Sequence, residues 1–284
     1  MGPDQRSLTP SDPRGFFRAT GLRPKRSLGQ HFLIDQAAAE RIATLVNEPS
    51  EDARKFAIVE IGAGIGALTM ALAKTDRSIT AIEIDDDLVR FLRSIPELSK
   101  VDIIHADALS VDYNCFALPW RGTGNLPYNI GTALLLQWIE MGAGPQQIVV
   151  MVQKDVADRL AAKPSTSAYG SLTLAVQYAM CVERLFTLGP AAFYPRPKVD
   201  STIVRLVRRE RPPVHTKDAR FLLQVTRAAF AYRRKTLANS LRFALNIEPA
   251  RTSSALKSIG LGPEVRGEQL ELAQFAVLAD HLHN

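Results

Sequence analysis

Ala57-Ile58-Val59-Glu60-Ile61 runs without a break into Gly62-Ala63-Gly64-Ile65-Gly66, and Leu68, Ala71 and Leu72 follow at helical spacing. A short apolar run of this kind reads as a strand buried on both faces. Strand, glycine turn and helix in that order predict one unit of a parallel α/β sheet. Glycines let the backbone come close to a ligand, and the helix start behind them presents free N–H groups.

The same pattern recurs downstream. Ile79–Glu83, Val101–Ala106 and Ile148–Val152 read as strands, with a weaker one near Arg121–Thr123. Glu83 closes its strand about 20 residues beyond Gly62, where an acid suits two ribose hydroxyls. Asp107 and Asn125 close the next two strands, and strand ends of an open α/β sheet line one crevice. Asp35 reads as the N-cap of a helix through Val46, and Asp85, Asp86 and Asp87 as caps for a helix start. Strands near Glu183–Leu188 and Thr202–Val207 flank a stiff loop, Phe193–Ser201, which predicts a hairpin and an antiparallel last strand. The segment Lys163–Gly170 has the composition of a mobile surface loop. Beyond Pro212-Pro213 the apolar spacing is helical, and Arg233-Arg234-Lys235 is read as the start of one helix.

The fold class expected is α/β, a Rossmann-like mostly parallel sheet with a small C-terminal all-α domain. The expected boundaries are a basic flexible leader at 1–24, a catalytic domain at 25–210 and a helical domain at 211–284. At 46% apolar residues the 284-residue chain can bury a full core. No run of 18 apolar residues exists to span a membrane. Cys115 and Cys181 stand far apart and are expected to be reduced and buried, in keeping with a cytoplasmic protein.

The net charge is +6, and its distribution carries more than its sum. From Arg205 to Arg242 the acids are Glu210 and Asp218 alone, and the leader adds Arg14, Arg18, Arg23, Lys25 and Arg26. Two such zones favour a polyanionic partner.

Gly124-Asn125-Leu126-Pro127-Tyr128-Asn129-Ile130 suits a flat base carrying an exocyclic amine. The Asn125 side-chain oxygen and the Leu126 carbonyl can each accept a hydrogen from an NH₂ group. Pro127 restrains both its own backbone and that of Leu126. Tyr128 offers a ring face for stacking. An Asn-Pro turn is the plainer alternative. The glycine turn alone is ambiguous: Gly62, Gly64 and Ala67 fit a dinucleotide fingerprint, whereas Gly62, Gly64 and Gly66 fit a tighter turn used for S-adenosylmethionine. The base-suited stretch favours the second, because hydride transfer needs no amide-proline-aromatic clamp.

Lys25-Arg26-Ser27-Leu28-Gly29-Gln30-His31-Phe32-Leu33, the Glu60–Gly66 turn, Asn125–Ile130, Phe193–Ser201 and Arg233–Leu241 together resemble the small-subunit (16S) ribosomal RNA adenine dimethyltransferases. The resemblance spans about residues 20 to 245. It implies transfer of methyl groups from S-adenosylmethionine to N6 of two adjacent adenines near the 3′ end of the small-subunit RNA. It implies cofactor contacts at His31, Leu33, Gly62, Glu83, Asp107 and Asn125, with Gly64 in the same turn. Asn125 and Leu126 would hold the amine, and Tyr128 and Phe193 would sandwich the adenine. Arg233, Arg234, Lys235 and Lys198 would contact RNA. The implied partner is 16S rRNA in a small subunit or its precursor, met by a monomer, with no metal and no membrane. His31 departs from the usual Asn, and Gly62-Ala63-Gly64 from a more frequent Gly-Pro-Gly. Three other readings stay open: a large-subunit RNA adenine methyltransferase, an RNA-binding assembly factor, and a nicotinamide-dependent oxidoreductase.

Overall fold

The computed structural model describes residues 10, 12–49, 55–116 and 119–283. In chain order the first elements are α1 (Pro13–Thr20), β1 (Phe32–Leu33), α2 (Gln36–Asn47), β2 (Ala57–Ile61), α3 (Ala67–Leu72), β3 (Ile79–Glu83), α4 (Asp86–Arg93) and β4 (Asp102–His105). Next come β5 (Trp120–Asn125), α5 (Gly131–Glu140), β6 (Gln147–Gln153), α6 (Lys154–Leu160), α7 (Ser171–Ala179), β7 (Met180–Leu188), β8 (Phe193–Tyr194) and β9 (Ser201–Arg208). The last are α8 (Ala219–Ala231), α9 (Leu237–Leu245), α10 (Pro249–Ser258) and α11 (Leu272–Leu282). The chain divides into two compact units, Met1–Ala157 with Glu183–Arg208, and Asp158–Val182 with Arg209–Asn284.

The first unit is built on a seven-stranded sheet in the order β4-β3-β2-β5-β6-β9-β7. Strands β4, β3, β2, β5 and β6 are parallel, and β9 runs antiparallel to β6. The hairpin thus inserts β9 beside β6, as the loop between the last two strands predicts. The weak strand near Arg121 is β5, a central strand. Its low apolar content hid it, because Gly122 and Gly124 take positions where neighbouring backbone and the Trp138 ring approach closely. At Gly124, φ is 144° and a Cβ would run into the Ile61 carbonyl oxygen. Only glycine lets β5 lie flush against β2 at that register.

Arg121 is a buried charge in β5, 2% exposed. One guanidinium nitrogen donates to the Val46 and Glu48 carbonyl oxygens, each at 2.6 Å. These carbonyls close the C-terminus of α2, whose last turn carries no basic residue of its own. The guanidinium also lies 3.7 Å from the Phe56 ring centroid. Burial, then Arg77 and Arg205 nearby, push its pKa down to about 10. It therefore keeps its charge at neutral pH and satisfies a helix end from inside the sheet.

Part of the leader expected to be flexible is ordered: Asp12 caps α1, accepting from the Gly15 N–H at 2.9 Å. Phe16 and Phe17 bury themselves with Phe32, Ile65 and Leu88. Adjacent phenylalanines supply the apolar face that the surrounding prolines and charges obscured. Residues 1–9 of that leader lie outside the described residues. Both cysteines, expected to be buried, are exposed and free.

The second unit packs α8, α9 and α11 on Leu222, Val225, Leu237, Leu241 and Phe275. It takes in Asp158–Val182, upstream of the Pro212-Pro213 boundary. The loop read as mobile is pinned within it. Tyr169 is buried and its hydroxyl donates to the Leu270 carbonyl at 2.9 Å.

Arg121→Ala should cost about 1–3 kcal/mol for each backbone carbonyl it leaves without a donor, the range for an unsatisfied buried acceptor. Urea denaturation measures it. A loss below about 1 kcal/mol would show that α2 finds other donors for its last carbonyls.

Candidate active site

One hollow opens at the carboxyl ends of β2, β3, β4 and β5. His31, Leu33, Gly62, Gly64, Glu83, Asp107 and Asn125 all line it, together with Leu126 and Tyr128. Every side chain or turn expected to hold a cofactor therefore meets in one place, although the residues span more than ninety positions of sequence.

Two glycines shape its floor, with φ of 69° at Gly62 and 61° at Gly64. A Cβ at Gly64 would sit 3.1 Å from the Phe32 ring, so a side chain there would both strain the backbone and fill the cradle. Glu83 holds the turn in place. One carboxylate oxygen accepts from the Gly64 N–H at 2.8 Å, and the other from the Ile84 and Asp85 N–H groups, each at 2.9 Å. Burial raises the Glu83 pKa against those three backbone donors. Asp107, exposed at its strand end, accepts from the Leu109 N–H through one oxygen.

At the end of β5, Asn125 Nδ2 donates to the His31 carbonyl oxygen at 2.7 Å. That bond orients the amide and leaves Oδ1 as its free acceptor. The Leu126 N–H donates to the Met151 carbonyl at 3.1 Å, which anchors the backbone whose next carbonyl is the second acceptor. Tyr128 is half-buried, its hydroxyl 3.2 Å from Ser201 Oγ. The ring lies 5.4 Å from the His31 ring, at 31°. His31 Nδ1 donates to the Pro195 carbonyl at 2.7 Å. A carbonyl can only accept, so in the neutral imidazole Nδ1 carries the hydrogen and Nε2 is left as an acceptor.

Phe193 is not brought to the hollow. It pairs with Leu33 across β1 and β8 and is buried in the core with Ile42 and Ile203. A two-residue strand alternates its faces, so only one of the Phe193-Tyr194 pair can turn inward. Lys198 is exposed on the loop before β9. Arg233-Arg234-Lys235 does not start a helix but forms the turn between α8 and α9. Arg233 is engaged there with the Ser167 and Tyr169 carbonyls and with Glu268. Arg234 and Lys235 are exposed.

Sequence reasoning missed three contributors. Ile84 lines the hollow with 44% of its surface open, an apolar wall beside Glu83. Asp85 does more than cap α4: it accepts from Lys25 Nζ at 2.6 Å and Gln30 Nε2 at 2.8 Å. It thereby ties the 25–33 segment down beside the hollow. Burial works against its charge, but the Lys25 and Gln30 hydrogen bonds outweigh it and lower the pKa. The third is Glu60, 1% exposed in β2 and also lining the hollow. Its Oε2 has no hydrogen-bond partner among the described residues. Burial, with Glu83 nearby, pushes its pKa up to about 8. An acid at the last-but-one position of the strand before a glycine turn was the available signal.

The raised Glu60 pKa has a direct consequence. The folded state holds a proton that the unfolded state releases, so stability falls as pH rises from about 4.5 to about 8. Glu60→Gln should remove that fall. Melting temperatures of ligand-free protein from pH 5 to pH 9 should converge at the acid end and favour the variant at the alkaline end. A pH-independent difference would refute the assignment.

Comparison with known proteins now bears on this geometry. The family model described as ribosomal RNA adenine dimethylase matches residues 21–283. The chain is 42% identical over 268 residues to the ribosomal RNA small subunit methyltransferase A of Hahella chejuensis, covering 93% of this chain and 94% of that one. It is 40% identical over 280 residues to the protein of the same name from Streptococcus sanguinis, covering 95% of each. Among solved structures, the 23S rRNA methyltransferase ErmE superposes with a TM-score of 0.65 at 25% identity, covering 89% of this chain and 99% of that one. A dimethyladenosine transferase from Plasmodium falciparum shares the fold, with a TM-score of 0.67 at 22% identity over 85% of this chain and 94% of that one. With its glycine turn, the Glu83 carboxylate and the Asn125 end of β5 gathered in one hollow, the chain belongs to the ribosomal RNA adenine dimethylase family.

Proposed function

We propose that this protein transfers methyl groups from S-adenosylmethionine to N6 of two adjacent adenosines near the 3′ end of 16S rRNA. The products are N6,N6-dimethyladenosines, and the setting is small-subunit biogenesis by a monomer in the cytoplasm. Family membership supports the enzyme class and the cofactor. The small-subunit substrate draws support from identities of 42% and 40% to small-subunit enzymes, against 25% to ErmE. The observation that carries the reading is the Asn125 amide, oriented by the His31 carbonyl and lining, with Leu126 and Tyr128, the same hollow as Gly62 and Gly64.

The residues fit S-adenosylmethionine. At Gly64, φ is positive and a Cβ would press on the Phe32 ring, and Glu60 lines the same hollow with a buried carboxyl oxygen that has no partner among the described residues. His31, Leu33, Gly62, Gly64, Glu83 and Asp107 would hold the cofactor, Glu83 at its ribose hydroxyls. An acceptor at His31 Nε2 suits the ammonium of its methionine part. When bound, S-adenosylmethionine supplies a methyl group made electrophilic by its sulfonium.

The protein's own task is to prepare the nucleophile. The N6 lone pair of adenine is delocalised into the ring, so the amine is a weak nucleophile. Asn125 Oδ1 and the Leu126 carbonyl accept its two hydrogens and favour a pyramidal nitrogen with a localised pair. Tyr128 stacks the base, a contact worth about 1–3 kcal/mol. Positioning of this kind supplies much of the rate. After one transfer the methylated nitrogen releases one proton to solvent and keeps a single hydrogen, which one acceptor can still hold for the second transfer.

Asn125→Ala should lower methyl incorporation at least about 100-fold, the scale for losing one aimed hydrogen-bonding group in a site. Cofactor binding by calorimetry should weaken but persist. Mass spectrometry of small-subunit RNA, incubated with protein and labelled cofactor, reads the rate and the modified nucleotide. Near wild-type incorporation in the variant would overturn the role of Asn125. Label confined to large-subunit RNA would overturn the substrate.

A further inference from the structure

The turn between α8 and α9 carries a feature that the methyl-transfer site does not use. Tyr232 and Phe243 stand 45% and 56% exposed, and their ring centroids are 5.5 Å apart at 58°. Helix α9 buries Leu237, Ala238 and Leu241 in the core of its own unit. Phe243 lies off that apolar face, with Arg242 and Ala244 also exposed beside it. Water-facing phenylalanine in a helix gains nothing from packing within the fold, so this pair is a platform without an internal use.

The charge around it is one-sided. Residues 219 to 247 contain no Asp or Glu, while Arg220, Arg227, Arg233, Arg234, Lys235 and Arg242 fall in the same span. Arg233 is spent on the Ser167 and Tyr169 carbonyls and on Glu268. Arg234, Lys235 and Arg242 are exposed and have no ion-pair partner among the described residues. Aromatic faces rimmed by unpaired cations match a base between phosphates, because every base has a π-face and each flanking phosphate a charge.

We propose that Tyr232 and Phe243 add a base-stacking platform, with Arg242, to the Arg234 and Lys235 cations already implied as RNA contacts by the family resemblance, and that this platform receives an unstacked base of a single-stranded segment. The aromatic pair takes the base, and the cations take the neighbouring phosphates. The site rests on the reading of ribosomal RNA as substrate, and deepens it by naming what the helical unit grips. Arg234 and Lys235 contribute salt-dependent affinity without sequence preference. Stacking adds a term that an RNA backbone without bases cannot supply.

Binding of the full chain to an adenine-free single-stranded decaribonucleotide tests it, beside a ribose-phosphate strand of equal length that carries no bases. Wild-type protein should prefer the strand with bases. Tyr232→Ala with Phe243→Ala should lose about tenfold in affinity for that strand and nothing for the baseless one, the size expected of a stacked base. Arg234→Ala should weaken both strands alike and reduce the salt slope by about one. All variants should bind S-adenosylmethionine and melt like wild type, since the altered side chains are exposed. Equal affinity of wild type and the aromatic variant for the strand with bases would overturn the site. So would a loss of affinity for assembled small subunits with naked-RNA binding intact, which would mark a protein dock instead. Methylation of small-subunit RNA by the same preparations keeps the two readings apart. Methylation with an unaffected aromatic variant sinks this site alone, and stacking without any methylation sinks the enzyme reading alone.

Discussion

The carboxylate of Glu83 holds the site together. It accepts three backbone N–H groups, from Gly64, Ile84 and Asp85. Those bonds join the glycine turn after β2 to the end of β3, and leave lone pairs for hydroxyl donors. A buried carboxylate is costly, and this one stays useful because backbone donors replace the water it lost. The Asp85 amide held by Glu83 places the Asp85 carboxylate, which grips Lys25 and Gln30. Next to Gln30, the His31 carbonyl receives the Asn125 amide. The Glu83 and Asn125 sides of the hollow are thus connected through hydrogen bonds in which each residue positions the next.

Two buried charges frame this arrangement and behave differently. Arg121 stays ionised because two helix-end carbonyls and an aromatic face compensate it. Glu60 has an unpartnered oxygen and is pushed toward its neutral form. Each keeps one buried polar atom without a hydrogen-bond partner among the described residues, Nε of Arg121 and Oε2 of Glu60. They differ in that two carbonyl oxygens meet the Arg121 charge, whereas Glu60 lines the hollow.

The helical unit divides its basic run by the same logic. Arg233 serves the fold by holding the 163–170 loop, and Arg234 and Lys235 face water. Three consecutive cations read alike in sequence, yet a turn points successive side chains in different directions. Phe193 shows the reverse error, an aromatic residue beside a functional loop whose ring belongs to the core.

The order of strands, the glycine turn and the acids at strand ends were legible because local pattern and short-range spacing encode them. Gly62, Glu83, Asp107 and Asn125 could be placed in one crevice from the topology of parallel sheets alone. The same was true of the Asp35 and Asp85 caps, which act within one helical turn. What needed the folded chain were long-range choices. Which nitrogen of His31 donates depends on Pro195, far away in sequence, and which face of the Phe193-Tyr194 strand turns inward depends on its pairing with β1. The order of α1 depends on Phe32, Ile65 and Leu88 offering it a surface. Spacing along the chain sets the period of an element, but burial and hydrogen-bond partners come from segments that only folding brings together.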